Sequence, residues 1–330
     1  MAAVGRREPV VAGVDGSESA LRAVRWAAGE AVRNERPLRL VHACVPPDHD
    51  YPNLEVTAAE VREAMWATAA GRLETAAEVA RTSEPSLKIE AEARSGDPRV
   101  LLVDESWRAA MVVLGSRGLT GAGRLLLGSS GLALAVHGHC PVIVVRGDRS
   151  GSGPVLVGVD DWSGSAAAVR FAFEEASTLG VPVTVLKTLP ENDPAGSAAQ
   201  ELSLRSLEKH VDWVASGFPQ VLSECLVVRG RSGRVLTEYG GRAGLIVVGN
   251  RGHSGFGGLL LGSVGQELPG RVPCPVAVVR PGALPTFVIR REEPLTVRGE
   301  RPHQAVFGKD RGNADDRDQG DTRRARDGAR

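Results

Sequence analysis

Glycines at 115 and 118, followed after nine residues by Gly128-Ser129, frame a loop that feeds a helix. Such spacing can bring backbone N–H groups up to an anion, because glycine permits positive φ and has no Cβ to hold the anion off. The helix opened by Gly128-Ser129 adds unsatisfied N–H groups, the positive end of its dipole and the Ser129 hydroxyl. The chemistry indicated is phosphate binding. Gly249-Asn250-Arg251-Gly252 and Gly262-Ser263 repeat the spacing. Arg117 and Arg251 are common to both copies, where they either neutralise phosphate or stand as solvated loop charges.

Both copies follow a β-branched run and both lead to a Cys-Pro-Val strand, Cys140-Pro141-Val142 and Cys274-Pro275-Val276. Aligned without gaps at an offset of 134, residues 112–146 and 246–280 are identical at 19 of 35 positions. The chain is therefore a duplication, and its fold is read twice. Neither loop is a Walker A element, since no Gly-Lys-Ser/Thr follows, and the turn after the first strand lacks G-x-G-x-x-G. Ser17 has no G-x-S-x-G flank. His137 and His139 have no ligand partners at metal spacing and read as surface or helix-end residues. Asp160-Asp161 resembles a phosphoacceptor pair, which would leave the duplicated glycine loops without a purpose.

The elements that must position these loops alternate. In the first module, strands are expected at 10–15, 38–43, 87–93, 111–114 and 142–145. Helices are expected at about 17–33, 56–82, 100–108 and 129–136, with Ser17 or Ser19 as the first cap and Asp97-Pro98 opening the third. The second module repeats the order, with strands at 155–160, 183–187, 226–229, 245–248 and 276–279. Its helices fall at about 163–179, 197–215 and 235–242. Alternating apolar strands and helices predict parallel sheets covered on both faces. In such sheets a ligand sits beyond the carboxyl ends of the strands, at the switch point between strands one and four. Asp15 and Asp160 end the first strands; Gly115 and Gly249 follow the fourth.

Composition narrows the function classes. The chain has 330 residues, 42% of them hydrophobic, and formal net charge zero. That suits two α/β modules and argues against an electrostatic nucleic-acid binder, which needs clustered cations. The four cysteines stand alone and read as small buried hydrophobes. No apolar run approaches the length of a membrane span. A soluble, reduced, cytoplasmic protein is expected. The expected organisation is a first domain at 8–146, a linker at 147–153, a second domain at 154–281 and a charged, disordered tail at 282–330.

These motifs resemble those of tandem universal stress proteins, whose ATP-binding members carry G-x2-G-x9-G-S/T after strand four. Ala12-Gly13-Val14-Asp15-Gly16-Ser17 approaches the family's V-G-V-D-G-S, Val157-Gly158-Val159-Asp160 follows it to the Asp, and Leu40-Val41-His42-Ala43 matches its L-V-H-A. The resemblance implies two doubly wound parallel five-stranded sheets of order 3-2-1-4-5, of the Rossmann-like adenine nucleotide alpha hydrolase type. It places Asp15 and Asp160 near the nucleoside, the main chain just past strand two (Ala43 and Thr188) at adenine, and the glycine motif at ribose and phosphates.

The implied cofactor contacts are Gly13, Asp15, Ala43, Gly115, Ser116, Arg117, Gly118, Gly121, Gly128, Ser129 and Ser130. In the second module they are Gly158, Asp160, Thr188, Gly249, Asn250, Arg251, Gly252, Gly255, Gly262, Ser263 and Val264. The implied ligand is ATP with Mg2+. Lys187-Thr188 stands where the first module has His42-Ala43, so a weaker second site is expected, and Arg124 is matched by Gly258. Pairing of the modules through their last strands is expected, with a homodimer compatible but not required. A stress or signalling module binding ATP with little turnover is the leading function; a slow ATPase or ATP-dependent transferase, and a nucleotide-free scaffold, are the alternatives.

Overall fold

The computed structural model describes residues 7–45, 57–116, 128–147, 153–191, 196–250 and 268–282. In the first half the order is β1 (Val10–Gly13), α1 (Glu18–Arg33), β2 (Leu38–Cys44), α2 (Ala58–Ser83), β3 (Ile89–Ser95), α3 (Pro98–Glu105), β4 (Met111–Gly115), α4 (Ser129–His137) and β5 (Val142–Val145). The second half runs β6 (Val155–Val159), α5 (Trp162–Leu179), β7 (Val183–Leu189), α6 (Gly196–Ala215), β8 (Ser223–Arg229), α7 (Ser232–Gly240), β9 (Leu245–Gly249) and β10 (Val276–Val279). Short 3-10 turns at Ser106–Arg108 and Leu268–Gly270 precede β4 and β10.

Each half has the expected strand order, β3-β2-β1-β4-β5 and β8-β7-β6-β9-β10, with parallel neighbours. The two sheets are one. β5 and β10 pair antiparallel, Val144 opposite Val276 and Val142 opposite Val278, so ten strands form a single sheet. The seam covers two apolar last strands that would otherwise be open edges. All of Val142–Val145 and Val276–Val279 are buried.

Local sequence explains the main supports. Ser17 caps α1 by accepting from the Ala20 N–H at 3.2 Å. The buried stripe Ala20, Ala23, Val24, Ala27, Ala28 and Ala31 is small, so α1 lies close on the sheet. Asp97 caps α3 with Pro98 in its first turn. One face of the sheet carries α1, α2, α5 and α6 over a core that runs without a break through both halves. α3, α4 and α7 line the other face.

Several bounds differ from expectation. β3 starts at Ile89 rather than Leu87, because Leu87 closes a turn to the Glu84 carbonyl before the strand meets β2. β8 starts at Ser223: pairing with β7 recruits polar Ser223-Glu224, tolerated on an edge strand with an exposed face. α7 begins at Ser232, before the apolar positions that suggested Val235. The expected tail from 283 onward and linker residues 148–152 lie outside the described residues. No helix of the described residues is long and apolar enough to cross a membrane.

Candidate functional site at the carboxyl ends of the strands

β1 and β4 are neighbours that lead to helices on opposite faces of the sheet, so their carboxyl ends open a crevice. It encloses about 340 Å³. Gly13 comes from the end of β1 and Val14 and Asp15 from the segment after it, Val41 and Ala43 from β2, Leu114 and Gly115 from β4, and Gly128 to Gly131 from the start of α4. Pro98, Leu101 and Leu102 of α3 form an apolar wall. The cavity is apolar at the α3 end and meets the first turn of α4 at the other.

α4 is nine residues long, and no side chain of the described residues caps it at Gly128. Its first N–H groups can therefore serve an anion. Asp15 is set by the turn that starts α1, its Oδ1 accepting from the Ser17 N–H at 2.9 Å. The β1–β2 ladder stops at Gly13 opposite Val41, which leaves Ala43 to border the cavity. Sequence reasoning passed over His42 as part of the site. Its ring is buried, and Nδ1 donates to the Val14 carbonyl at 2.6 Å, tying β2 to the residue before Asp15. The L-V-H-A run was the available signal.

Two expectations are corrected. Gly115 was read as allowing positive φ and close backbone approach to an anion, but it is not among the glycines with that conformation. Its requirement is steric, since a Cβ there would stand 2.5 Å from the Ser19 carbonyl carbon in the first turn of α1. Ala43 and Thr188 were placed just past strand two. They lie inside β2 and β7, because β3 and β8 pair with those strands to Cys44 and Leu189.

A second cavity of about 600 Å³ shares Asp15 and Ala43 with the first, and is lined by His42, Cys44 and the α2 residues Glu60, Val61, Ala64, Met65, Thr68 and Arg72. Burial pushes the Cys44 thiol up, with Arg72 opposing. His139 stacks on Trp107 rather than meeting other ligands. Among the described residues no group of three or more His, Cys, Asp or Glu could hold a metal ion.

In the second module Gly158, the last residue but one of β6, lies beside Leu236 and Val248, and the Asp160 N–H donates to Ser165 Oγ at 3.3 Å. Thr188 Oγ1 and Ser232 Oγ share a hydrogen bond of 2.6 Å, where the first module has Ala43 and Pro98. Gly249 closes β9, and the Asn250 N–H bonds the Val279 carbonyl as Ser116 bonds Val145. Asn250 is buried, and its Oδ1 has no partner among the described residues. Gly13, Asp15, Ala43, Gly115, Gly128, Ser129 and Ser130 thus line one cavity; Ser116 is not among its lining residues. Arg117, Gly118, Gly121, Arg251, Gly252, Gly255, Gly262, Ser263 and Val264 lie outside the described residues.

The sequence profile of the universal stress protein family matches residues 6–146 and again 152–280. A universal stress protein of Mycolicibacterium smegmatis is 33% identical over 285 residues, covering 82% of this chain and 97% of that protein. One of Mycobacterium tuberculosis is 32% identical over 295 residues, covering 82% and 96%. A universal stress protein crystal structure from Archaeoglobus fulgidus has the same fold, with a TM-score of 0.64 at 19% identity over 83% of this chain and 99% of that one. The chain belongs to the universal stress protein family and carries its domain twice.

Proposed function

We propose that the protein binds ATP at the crevice of its first module, more weakly at that of its second, and turns it over little, as a nucleotide-dependent stress or signalling module. The observation that supports this most is the meeting of Asp15, Ala43 and Gly115 with the uncapped start of α4 in one cavity. The N–H groups of Ser129, Ser130 and Gly131, with the Ser129 hydroxyl, would receive phosphate oxygens. The apolar wall of Leu101 and Leu102 would cover the base, with the main chain at Ala43 along its edge. Asp15 would accept from ribose hydroxyls.

A Mg2+ ion would enter as a companion of the phosphates, held by their oxygens and water, since the glycine loops offer it no carboxylate. When bound it supplies charge neutralisation. Slow turnover follows from what the loops contain. Residues 115–131 and 249–265 include no Asp, Glu or Lys. Efficient phosphoryl transfer needs an oriented nucleophile and stabilised leaving-group charge. Asp15 stands at the β1 end of the cavity, across from the start of α4.

The deciding experiment identifies the nucleotide, and its stoichiometry, released from freshly purified protein, followed by calorimetry with ATP, AMP and cyclic AMP. Preference for ATP with a steady-state rate well below about 1 s⁻¹ supports the proposal. A rate of about 1–10³ s⁻¹ that is lost in Gly118→Ala with Gly252→Ala makes the protein an ATPase. Absence of any nucleotide binding favours a scaffold.

A further inference from the structure

Glu30 and Glu175 are the same residue of the two copies. Aligned without gaps at an offset of 145, the early parts of the modules pair Gly13 with Gly158, Asp15 with Asp160, Arg25 with Arg170, Pro37 with Pro182 and Glu30 with Glu175. Both side chains point into the protein: Glu30 is 0% exposed and Glu175 4%. They lie close enough that the charge of Glu30 acts on the Glu175 carboxyl. When repeat-equivalent residues touch, they mark the pseudo-two-fold axis between the copies, as in a symmetric dimer. The same axis relates β5 to β10.

The charges around this contact do not balance by symmetry. Arg33 Nη2 lies 2.6 Å from Glu30 Oε2, and the Asn34 amide donates to Glu30 Oε1. The position equivalent to Arg33 is Thr178, so α5 brings no matching cation. Glu174, also on α5, is engaged by Arg170 at 2.9 Å. β5 and β10 beneath offer apolar Ile143, Val145, Ala277 and Val279. Among the described residues two buried carboxyls thus face one arginine, and Glu175 Oε2 has no hydrogen-bond partner there. Two carboxylates cannot both ionise in such a dry site without a large penalty, so one proton is retained between them. Burial first, then the negative charge of Glu30, push the Glu175 carboxyl well above the usual range, with Arg33 opposing.

We propose that Glu30 and Glu175 form a proton-held latch between the two modules, closed while the pair shares one proton and weakened as pH rises. In the closed state Glu175 donates to Glu30, whose charge is matched by Arg33. A group whose folded-state pKa lies above its open-state value contributes stability that is complete at low pH and is lost as pH rises towards the folded value. The short β5–β10 ladder is what such weakening would release. The proposal does not depend on nucleotide binding.

The test uses the full chain and Glu175→Gln, which keeps a donor for Glu30 and cannot ionise. Amide hydrogen exchange is followed at Val142–Val145 and Val276–Val279 between about pH 5 and 8, as the ratio of wild type to variant at each pH. The ratio should rise about tenfold per pH unit above the ordinary Glu range until Glu175 itself ionises. A flat ratio overturns the latch. Infrared spectroscopy of the wild type provides a readout independent of whether the variant folds. A protonated carboxyl band from 13C-labelled Glu should persist at neutral pH, and its absence overturns the proposal.

Discussion

The Nδ1 of His42 stands 2.6 Å from the carbonyl oxygen of Val14, one residue before Asp15. Because the acceptor is a carbonyl, the proton is on Nδ1. β2 thereby adds a side-chain bond beside its last main-chain bond to this segment, from the Val14 N–H to the Val41 carbonyl at 2.9 Å. His42→Ala would leave the buried carbonyl unpaired at a cost of about 1–3 kcal/mol. Urea denaturation should show the loss, and calorimetry should show weaker nucleotide binding, since one of the bonds that hold the segment before Asp15 is gone. Unchanged stability would show that the bond contributes nothing.

Gly115→Ala tests the packing reason for the first glycine of the loop. The added Cβ would lie 2.5 Å from the Ser19 carbonyl carbon and 2.6 Å from its oxygen, both main-chain atoms that cannot rotate aside. Either β4 or the start of α1 must shift, at a cost of about 1–3 kcal/mol. The urea midpoint should fall with little change in slope. A wild-type midpoint would place the need for glycine elsewhere.

Much of this fold can be read from the chain because its signals are local. Alternating apolar runs and caps such as Ser17 and Asp97 locate the elements, and the duplicated glycine motif locates the crevice. What escaped was set by partners distant in sequence. Ser223-Glu224 joins a strand only because β7 offers an edge. The steric role of Gly115 depends on Ser19, and that of His42 on Val14. Glu30 and Glu175 look like ordinary polar positions on helices until β5 meets β10 and the two carboxyls come together.

Glu105 gives a pH dependence opposite in sign to that of Glu175. Burial would raise its pKa, but hydrogen bonds from Arg39 and Arg94 outweigh it and hold the carboxyl below its usual range. Arg39 Nε lies 2.8 Å from Oε2, and Arg94 Nη1 2.7 Å from Oε1. A lowered folded-state pKa contributes stability at neutral pH that is lost as pH falls through the folded value. Glu105→Gln should cost roughly 1–2 kcal/mol at neutral pH, because the bonds are charge-assisted but Arg94 is 35% exposed and screened. The gap between wild type and variant in urea denaturation should narrow on acidification. A gap that stays constant down to acid pH would contradict the ion network.

The seam between the modules should be self-sufficient. β5 and β10 are buried along their whole length and pair across the two halves, so separately expressed modules should associate when mixed. Ile143→Lys, opposite Ala277 and fully buried, should abolish that association by placing a charge in the shared core. Analytical ultracentrifugation distinguishes the outcomes. Modules that stay monomeric when mixed would mean that the covalent link alone keeps them together.

The two crevices should differ in affinity, because the strand-two position proposed to border the base differs. Ala43 borders the first cavity with Pro98 opposite, whereas Thr188 and Ser232 spend their hydroxyls on each other across 2.6 Å. A base entering the second site would have to displace or pass that hydrogen bond. It would also lack the His42 support, since Lys187 occupies the equivalent place. Calorimetry should therefore find that Asp160→Ala keeps the tighter class of sites and Asp15→Ala removes it. Thr188→Ala, which reproduces Ala43, should tighten the second site about fivefold, the equivalent of roughly 1 kcal/mol for one net hydrogen bond. Equal residual affinity in the two Asp variants would remove the asymmetry. No change in Thr188→Ala would show that the hydroxyl pair is not what separates the sites.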